Sequence, residues 1–534
     1  MTGRRIIGAA MAVATVVGLA GTTAAEPAGA RDGGADDVDW AACPDDVQGA
    51  ETMECGTVTV PLDYRDPGGR TIEIAISRIA STDPEARRGI LMLNPGGPGG
   101  SGLRQPADLV DLGMPATALA AYDLIGMDPR GVGHSAPVSC GFTVDQDYRG
   151  NLPPYAVDDA AVIEQAEASK AIADQCAEND SEGILPHLTT ANAARDMDRI
   201  REALGEDTVS YFGLSYGTAL GSAYASLFPE NGDRMILDSN VGGTALDDDG
   251  HRRFALGMEA TFPEFAEWAA RRHESYGLGR TPEEVRENYF RTAQRLDERP
   301  FQGFDGAHFR AAVFGSLYAE SLYGPLSQFW QSIELGDADG VRRGAGDLDL
   351  AVPASSATAS QGTAELSPYD NMWSAFRAYT CNDTDWPENT ATYRMRVAWD
   401  RYEYPMFGAA AANVNPCAFW RHDSVGPPVE IVDEGPRNIL ILQNTLDPAT
   451  PLKGGELARE AFGDRARMVS VEESGHGVYL YDDNPCALNI TTRYLVDGQM
   501  PDTDVVCEGS ASSGLDLDGA EQRRRDEALA RLNR

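Results

Sequence analysis

A single Gly-x-Ser-x-Gly, Gly213-Leu214-Ser215-Tyr216-Gly217, stands between a short apolar run, Thr208–Phe212, and an apolar stretch of helical spacing, Tyr216–Phe228. This arrangement predicts a strand that turns abruptly into a helix. The steric logic is narrow. The residues two positions either side of the serine must lack bulk for strand and helix to approach. The hydroxyl of Ser215 then stands at the C-terminal edge of a sheet and at the head of a helix. The helix dipole and the N–H of Tyr216 face any negative charge that develops there.

The rest of the chain has the frame such a turn requires. Gly89–Leu93 and Tyr122–Met127 are short, mostly apolar runs, suited to strands buried on both faces of a parallel sheet. Thr57–Leu62 and Thr71–Ile79 alternate apolar and polar residues, as an antiparallel pair with one wet face does. Thr190–Leu204 has helical spacing at Ala194, Met197, Ile200 and Leu204 and ends before Gly205. Arg234–Leu237 is a further strand. The order strand, helix, strand, helix, strand predicts an α/β fold on a right-handed, mostly parallel sheet.

From about 241 to 432 the pattern is mainly helical, as in Phe254–Tyr276 and Pro282–Leu296, and the stretch holds six of the seven tryptophans. Those tryptophans read as core rather than as substrate platforms. Pro353–Pro368 reads as a mobile loop. Strands resume at Asn438–Leu442 and Ala466–Val471, with a helix near Cys486–Val496. The expected organisation is therefore a lead-in at 31–56 and a core formed by 57–240 and 433–507. A helical cap insertion at 241–432 interrupts that core, and a polar tail follows at 508–534, a charged helix at most.

A serine hydroxyl needs a base to take its proton. Only seven histidines are available. On an α/β-hydrolase the order is serine, acid, histidine. His476, in Ser474-Gly475-His476-Gly477, directly follows the last long strand, whereas His422 falls in the helical insert. The acid should end the preceding strand. Asp447 does so, and Asp433 comes before that strand. Ser215, His476 and Asp447 are the expected nucleophile, base and orienting acid.

The strand Gly89–Leu93 leads into Asn94-Pro95-Gly96-Gly97-Pro98-Gly99-Gly100-Ser101-Gly102. That position is where an α/β-hydrolase supplies its second oxyanion donor. The expected donors are the N–H groups of Tyr216 and Gly97, with Gly96 as the alternative to Gly97. A phosphate loop is excluded by the lack of a Gly-Lys-Ser/Thr ending. After the next strand comes Asp128-Pro129-Arg130-Gly131, which reads as a structural turn that shapes the pocket wall rather than as direct chemistry, with an Asp128–Arg130 pair beneath the site as one arrangement open to it.

Forty-four Lys+Arg against 83 Asp+Glu give a net charge of −39, which argues against nucleic acid or an anionic membrane surface as partner. Arg4 and Arg5, the apolar stretch Ile6–Ala20 and the small residues after it read as an export signal over 1–30, with twin-arginine export and an uncleaved anchor as alternatives. No other stretch is long and apolar enough to insert stably in a membrane. Eight cysteines follow: Cys43, Cys55, Cys140, Cys176, Cys381, Cys417, Cys486 and Cys507. An even count in an exported chain suggests disulfides, and the simplest pairing is sequential, although spacing leaves others open. There is no Cys-x-x-Cys and no His-Glu-x-x-His, so no metal and no cofactor are expected.

Taken together, these motifs resemble the exported actinomycete tripeptidyl aminopeptidases, α/β-hydrolase serine peptidases related to proline iminopeptidase. The resemblance runs from Cys55 to Cys507. It includes the glycine loop at 94–102, Asp128-Pro129-Arg130-Gly131, Leu188-Thr189-Thr190 leading to Ala194-Arg195-Asp196-Met197-Asp198, Gly213–Thr218, Cys381 with Asp383, Asp447, and Ser474–Gly477. Where many relatives carry Asp-Gly-Val-x-Asp-Pro, this chain has Asp238-Ser239-Asn240-Val241-Gly242-Gly243 and lacks the second acid. The resemblance implies a secreted enzyme that releases short peptides from free N-termini. It implies a wall formed by the insert, and a carboxylate for the substrate ammonium, with Asp383 and Asp385 as candidates. A secreted carboxylesterase with the same triad is the alternative. A catalytically idle surface-binding protein is a third reading. Oligomeric state is left open.

Overall fold

The computed structural model describes residues 38–532 except 48, 50, 51, 145, 147–151, 349, 351–366, 423, 424, 511–513 and 516. The export signal and most of Pro353–Pro368 lie outside these residues; Pro368 itself opens a helix.

Among the described residues one sheet contains β1 (Ala41–Ala42), β2 (Glu54–Pro61), β3 (Thr71–Ile79), β4 (Gly89–Asn94), β5 (Tyr122–Met127), β6 (Val209–Leu214), β7 (Gly232–Asp238), β8 (Ile439–Leu446), β9 (Ala466–Ser474) and β10 (Val505–Cys507). Their spatial order is β1-β2-β3-β5-β4-β6-β7-β8-β9-β10. The β2–β3 and β3–β5 pairs are antiparallel, and every pair from β5–β4 to β9–β10 is parallel. The burial pattern follows that division. Every residue of β4, β5 and β6 is buried, whereas β2 buries Val58 and Val60 between exposed Thr57 and Thr59. Alternate residues of the central strands feed two cores. Met92, Tyr211 and Ile441 pack with the helices Thr190–Ala203 and Tyr216–Leu227, while Leu93, Phe212 and Leu442 pack with Gln105–Asp111 and Pro485–Asp497 on the opposite face.

The chain between β7 and β8 is helical, from Asp248–Ala270 to the turn Pro416–Phe419. Its first helix starts earlier than the apolar spacing predicts, because the Asp247 carboxylate caps it by accepting the Gly250 N–H at 2.7 Å. Trp330 is fully buried and donates from Nε1 to Thr292 Oγ1 at 3.0 Å, whereas Trp399 is 60% exposed. Four disulfides join Cys43–Cys55, Cys140–Cys176, Cys381–Cys417 and Cys486–Cys507.

The C-terminal tail departs from expectation. Gly519–Leu532 is a helix docked on the core. Arg525, only 4% exposed, donates to the carbonyls of Leu112 and Leu480, and Arg531 meets Asp108 at 2.9 Å. Among its many charges Arg525, Ala528, Leu529 and Leu532 recur at helical spacing and form the docking stripe. Among the described residues no helix is long and apolar enough to cross a membrane, and no group of three or more metal-ligating side chains occurs.

Candidate active site

Strands β4, β6, β7, β8 and β9 are consecutive in the sheet, and each ends at the same edge in a segment with chemistry. Asn94 pairs with Gly213, Leu214 with Asp238, and Asp238 with Leu442. This register sets the glycine loop beside the serine turn and the acid and histidine loops beyond it.

Ser215 has φ 59° and ψ −124°, a strained conformation for a residue with a side chain, costing about 1–3 kcal/mol. Its surroundings impose it. A Cβ on Gly213 would lie 2.4 Å from the Gly217 carbonyl oxygen, so only glycine permits the turn. Tyr211 Oη donates to that same carbonyl at 2.8 Å. The Ser215 N–H donates to the Asp238 carbonyl at 2.9 Å, and Thr218 Oγ1 donates to the Ser215 carbonyl at 2.6 Å.

Asp447 is 1% exposed, and its Oδ2 lies 2.9 Å from His476 Nδ1. Asp447 also accepts the N–H groups of Ala449 and Thr450 at 2.8 Å each and the Thr450 hydroxyl at 2.8 Å. An acid facing Nδ1 fixes the tautomer, leaving the Nε2 lone pair to receive a proton. Burial pulls His476 down, but the charge and hydrogen bond of Asp447, with Asp238 behind, outweigh it and hold the imidazole above its usual 6.5.

The loop around His476 is clamped by residues that sequence reasoning did not single out. Asp238 accepts the N–H groups of Val478 at 2.9 Å and Tyr479 at 2.7 Å, and the Gly477 N–H donates to Ser239 Oγ at 2.9 Å. Asn444 Nδ2 donates to the carbonyls of Gly475 and Gly477. Ser215 and the histidine loop are thus both fastened to the adjacent pair Asp238–Ser239. Burial pushes the Asp238 carboxyl up to about 7, against the pull of those amides. From the insertion, the Tyr318 carbonyl accepts the His476 N–H at 2.9 Å, and the Tyr318 ring stands edge-on to the imidazole at 5.1 Å. The available signal was positional: Asp238 ends the strand next to the one that leads to the predicted acid, and Asn444 lies near the end of that leading strand itself.

Gly96 and Gly97 adopt φ +95° and +110°, which bring the loop backbone onto the turn; a Cβ on Gly96 would sit 2.9 Å from Ser215 Cβ. The Gly96 N–H donates to Asn94 Oδ1 at 3.0 Å. Among the described residues the N–H groups of Gly97 and Tyr216 have no acceptor in the protein.

Asp128 and Arg130 do not pair. Asp128 faces the glycine loop, accepting from Ser101 Oγ at 2.6 Å and Gly102 N–H at 2.9 Å. Arg130 faces the other way and pairs with Asp196 at 2.6 Å, both fully buried. The two side chains therefore serve different walls. Asp383 is buried against Thr190, and Asp385 is exposed. His422 lies 3.9 Å from Asp180, and Asp433 is exposed.

Known proteins resemble the chain over nearly its whole length. A family model described as TAP-like protein matches residues 404–507. A tripeptidyl aminopeptidase of Streptomyces lividans is 34% identical over 494 residues, covering 89% of this chain and 87% of that one. The serine protease Hip1 of Mycobacterium bovis is 30% identical over 470 residues, covering 85% and 87%. A carboxylesterase B of Mycobacterium tuberculosis is 30% identical over 504 residues, covering 92% and 94%. On this similarity and this sheet, the chain belongs to the tripeptidyl aminopeptidase family of α/β-hydrolases and is a serine hydrolase.

Proposed function

We propose that the protein is a secreted serine exopeptidase that releases short peptides, tripeptides foremost, from free N-termini. Ser215 Oγ attacks the scissile carbonyl as its proton passes to His476 Nε2, and Asp447 stabilises the imidazolium. The carbonyl electrons move onto oxygen, where the N–H groups of Tyr216 and Gly97 receive the negative charge. Collapse expels the amine with the proton from His476. Water, deprotonated by the same histidine, then releases the peptide from Ser215. Gly97 is preferred to Gly96 because the Gly96 N–H is already spent on Asn94.

The observation that carries the reading is the Asp447–His476 pair at the same sheet edge as a strained serine, with both loops tied to Asp238–Ser239 and, among the described residues, no acceptor on the Tyr216 amide. The insertion at 241–432 is the wall that limits how much peptide lies beyond Ser215. Four disulfides fit an oxidising, extracellular setting reached through the export signal at 1–30. Ser215→Ala should lower kcat on a tripeptide p-nitroanilide on the order of 10⁶-fold; retained turnover would refute the reading. N-acetylated peptides should be cleaved far more slowly than free-amine ones.

The coverage shared with carboxylesterase B favours one second reading, a carboxylesterase using the same triad. Faster turnover of p-nitrophenyl acetate than of any tripeptide anilide would select it.

A further inference from the structure

One helix of the insertion, Pro368–Asp383, touches both segments that carry the free amides. At its start its backbone lies on the glycine loop: a Cβ on Gly99 would meet the Met372 carbonyl oxygen at 2.5 Å and the Phe376 nitrogen at 3.1 Å. In the same region Asn371 accepts the Gly133 N–H at 2.8 Å and donates to the carbonyls of Gly131 and Val138. At its end the Asp383 carboxylate accepts the Thr190 N–H at 2.8 Å and the Thr190 hydroxyl at 2.5 Å. The Thr190 hydroxyl is in turn hydrogen-bonded to the Tyr216 hydroxyl. Between the two ends, the Tyr379 ring packs on Tyr216 at 5.9 Å, and its hydroxyl donates to the Arg130 carbonyl at 3.0 Å. The Cys381–Cys417 disulfide anchors the end of the helix.

We propose that this helix braces the oxyanion hole from the insertion side, with Asp383 and Thr190 as positioning residues that hold Tyr216. The proposal rests on the assignment of the Tyr216 and Gly97 amides as oxyanion donors. Tyr216 is buried and is held at two points, its backbone in the serine turn and its hydroxyl in a chain of hydrogen bonds that ends on a carboxylate. With Thr190 Oγ1 donating to Asp383, its lone pair is left to accept from Tyr216 Oη, so the chain has one direction. Both Asp383 oxygens are already engaged by Thr190, which gives the carboxylate a task other than meeting a substrate ammonium. A buried carboxyl is costly, and here the outlay holds a donor whose value depends on its placement to within a fraction of an ångström.

The test uses the full chain carrying Thr190→Val, Thr190→Ser, Asp383→Asn or Tyr216→Phe. Each is assayed on p-nitrophenyl acetate, which has no ammonium group, and on a free-amine tripeptide p-nitroanilide. A peptide aldehyde serves as a third probe. Ser215 Oγ adds to its carbonyl carbon, the carbonyl electrons moving to oxygen and the serine proton to His476, so its affinity reports on the oxyanion hole. Thr190→Val and Tyr216→Phe should lower kcat about 10–100-fold on both substrates, leave KM nearly unchanged and weaken the aldehyde in parallel. Thr190→Ser, which keeps the hydroxyl, should restore most of the loss. Undiminished kcat in Thr190→Val and Tyr216→Phe overturns the proposal. So does a loss confined to KM for the free-amine substrate in Asp383→Asn, which would make that carboxylate the ammonium partner. If Asp383→Asn does not fold, the Thr190 and Tyr216 variants decide. Failure of the peptidase reading is separable, because it shows without any of these variants, as p-nitrophenyl acetate turned over faster than every tripeptide anilide by the native protein or as activity retained in Ser215→Ala.

Discussion

The imidazole of His476 is set between opposing influences, and their sum is measurable. Burial disfavours its charge, yet Asp447 and Asp238 together hold it above 6.5. In the proposed mechanism His476 acts as base when neutral, so kcat/KM should climb with pH through a midpoint above that value. Asp447→Asn should move the midpoint down and lower kcat on the order of 10⁴-fold, which a pH–rate profile would record. Asp238 makes a different prediction. Its carboxyl titrates at about 7 in the fold against 3.8 unfolded, so its contribution to stability is complete at acid pH and is lost as pH rises toward 7. The melting temperature of Asp238→Asn relative to the native protein should therefore increase between pH 4 and 8 in thermal melts; a flat difference would contradict the raised pKa. Ser215, Asp447 and His476 can be proposed from sequence because each follows a strand whose apolar run is visible. Asp238 and Asn444 could not, because their contacts depend on which strands are neighbours, and strand order is not written in any local pattern.

Among the elements, the C-terminal helix was hardest to read and has the most testable consequence. Its charges give Gly519–Leu532 the look of a solvated segment, and the stripe through Arg525, Ala528, Leu529 and Leu532 is narrow. Arg525 ties Leu112, just past the helix that follows the glycine loop, to Leu480, in the loop after His476. Arg525→Met should leave two buried carbonyls without a donor, costing about 1–3 kcal/mol by urea unfolding and lowering kcat as well. The central strands were legible because burial on both faces leaves almost no polar residue to break the run. The first insertion helix was misjudged at its start because Asp247, a capping residue, set its beginning ahead of the apolar stripe.

For the molecule as a whole, two disulfides offer a controlled comparison. Cys140–Cys176 and Cys381–Cys417 each span a sequence separation of 36, so loop-closure entropy assigns them the same stabilisation, about 4 kcal/mol. Cys381 is itself part of the helix behind Tyr216, whereas Cys140 meets that helix only through its N–H on Ser374 Oγ, at 2.7 Å. Replacing either pair with serine should lower the melting temperature comparably, and only the Cys381/Cys417 variant, which frees the helix behind Tyr216, should also lose kcat. The alternation of strands and helices announced the α/β sheet and its interruption, whereas the contacts between the insertion and the site had no sequence signature. The adjacency of β7 and β8 reaches further still. Residues 239–446 must leave the ribosome before β8 can join β7, and the histidine emerges later than that. A nascent chain therefore displays Ser215 before its proposed acid and base have been made. Under the proposed mechanism, any copy that ends before residue 476 carries a nucleophile with no partner to take its proton.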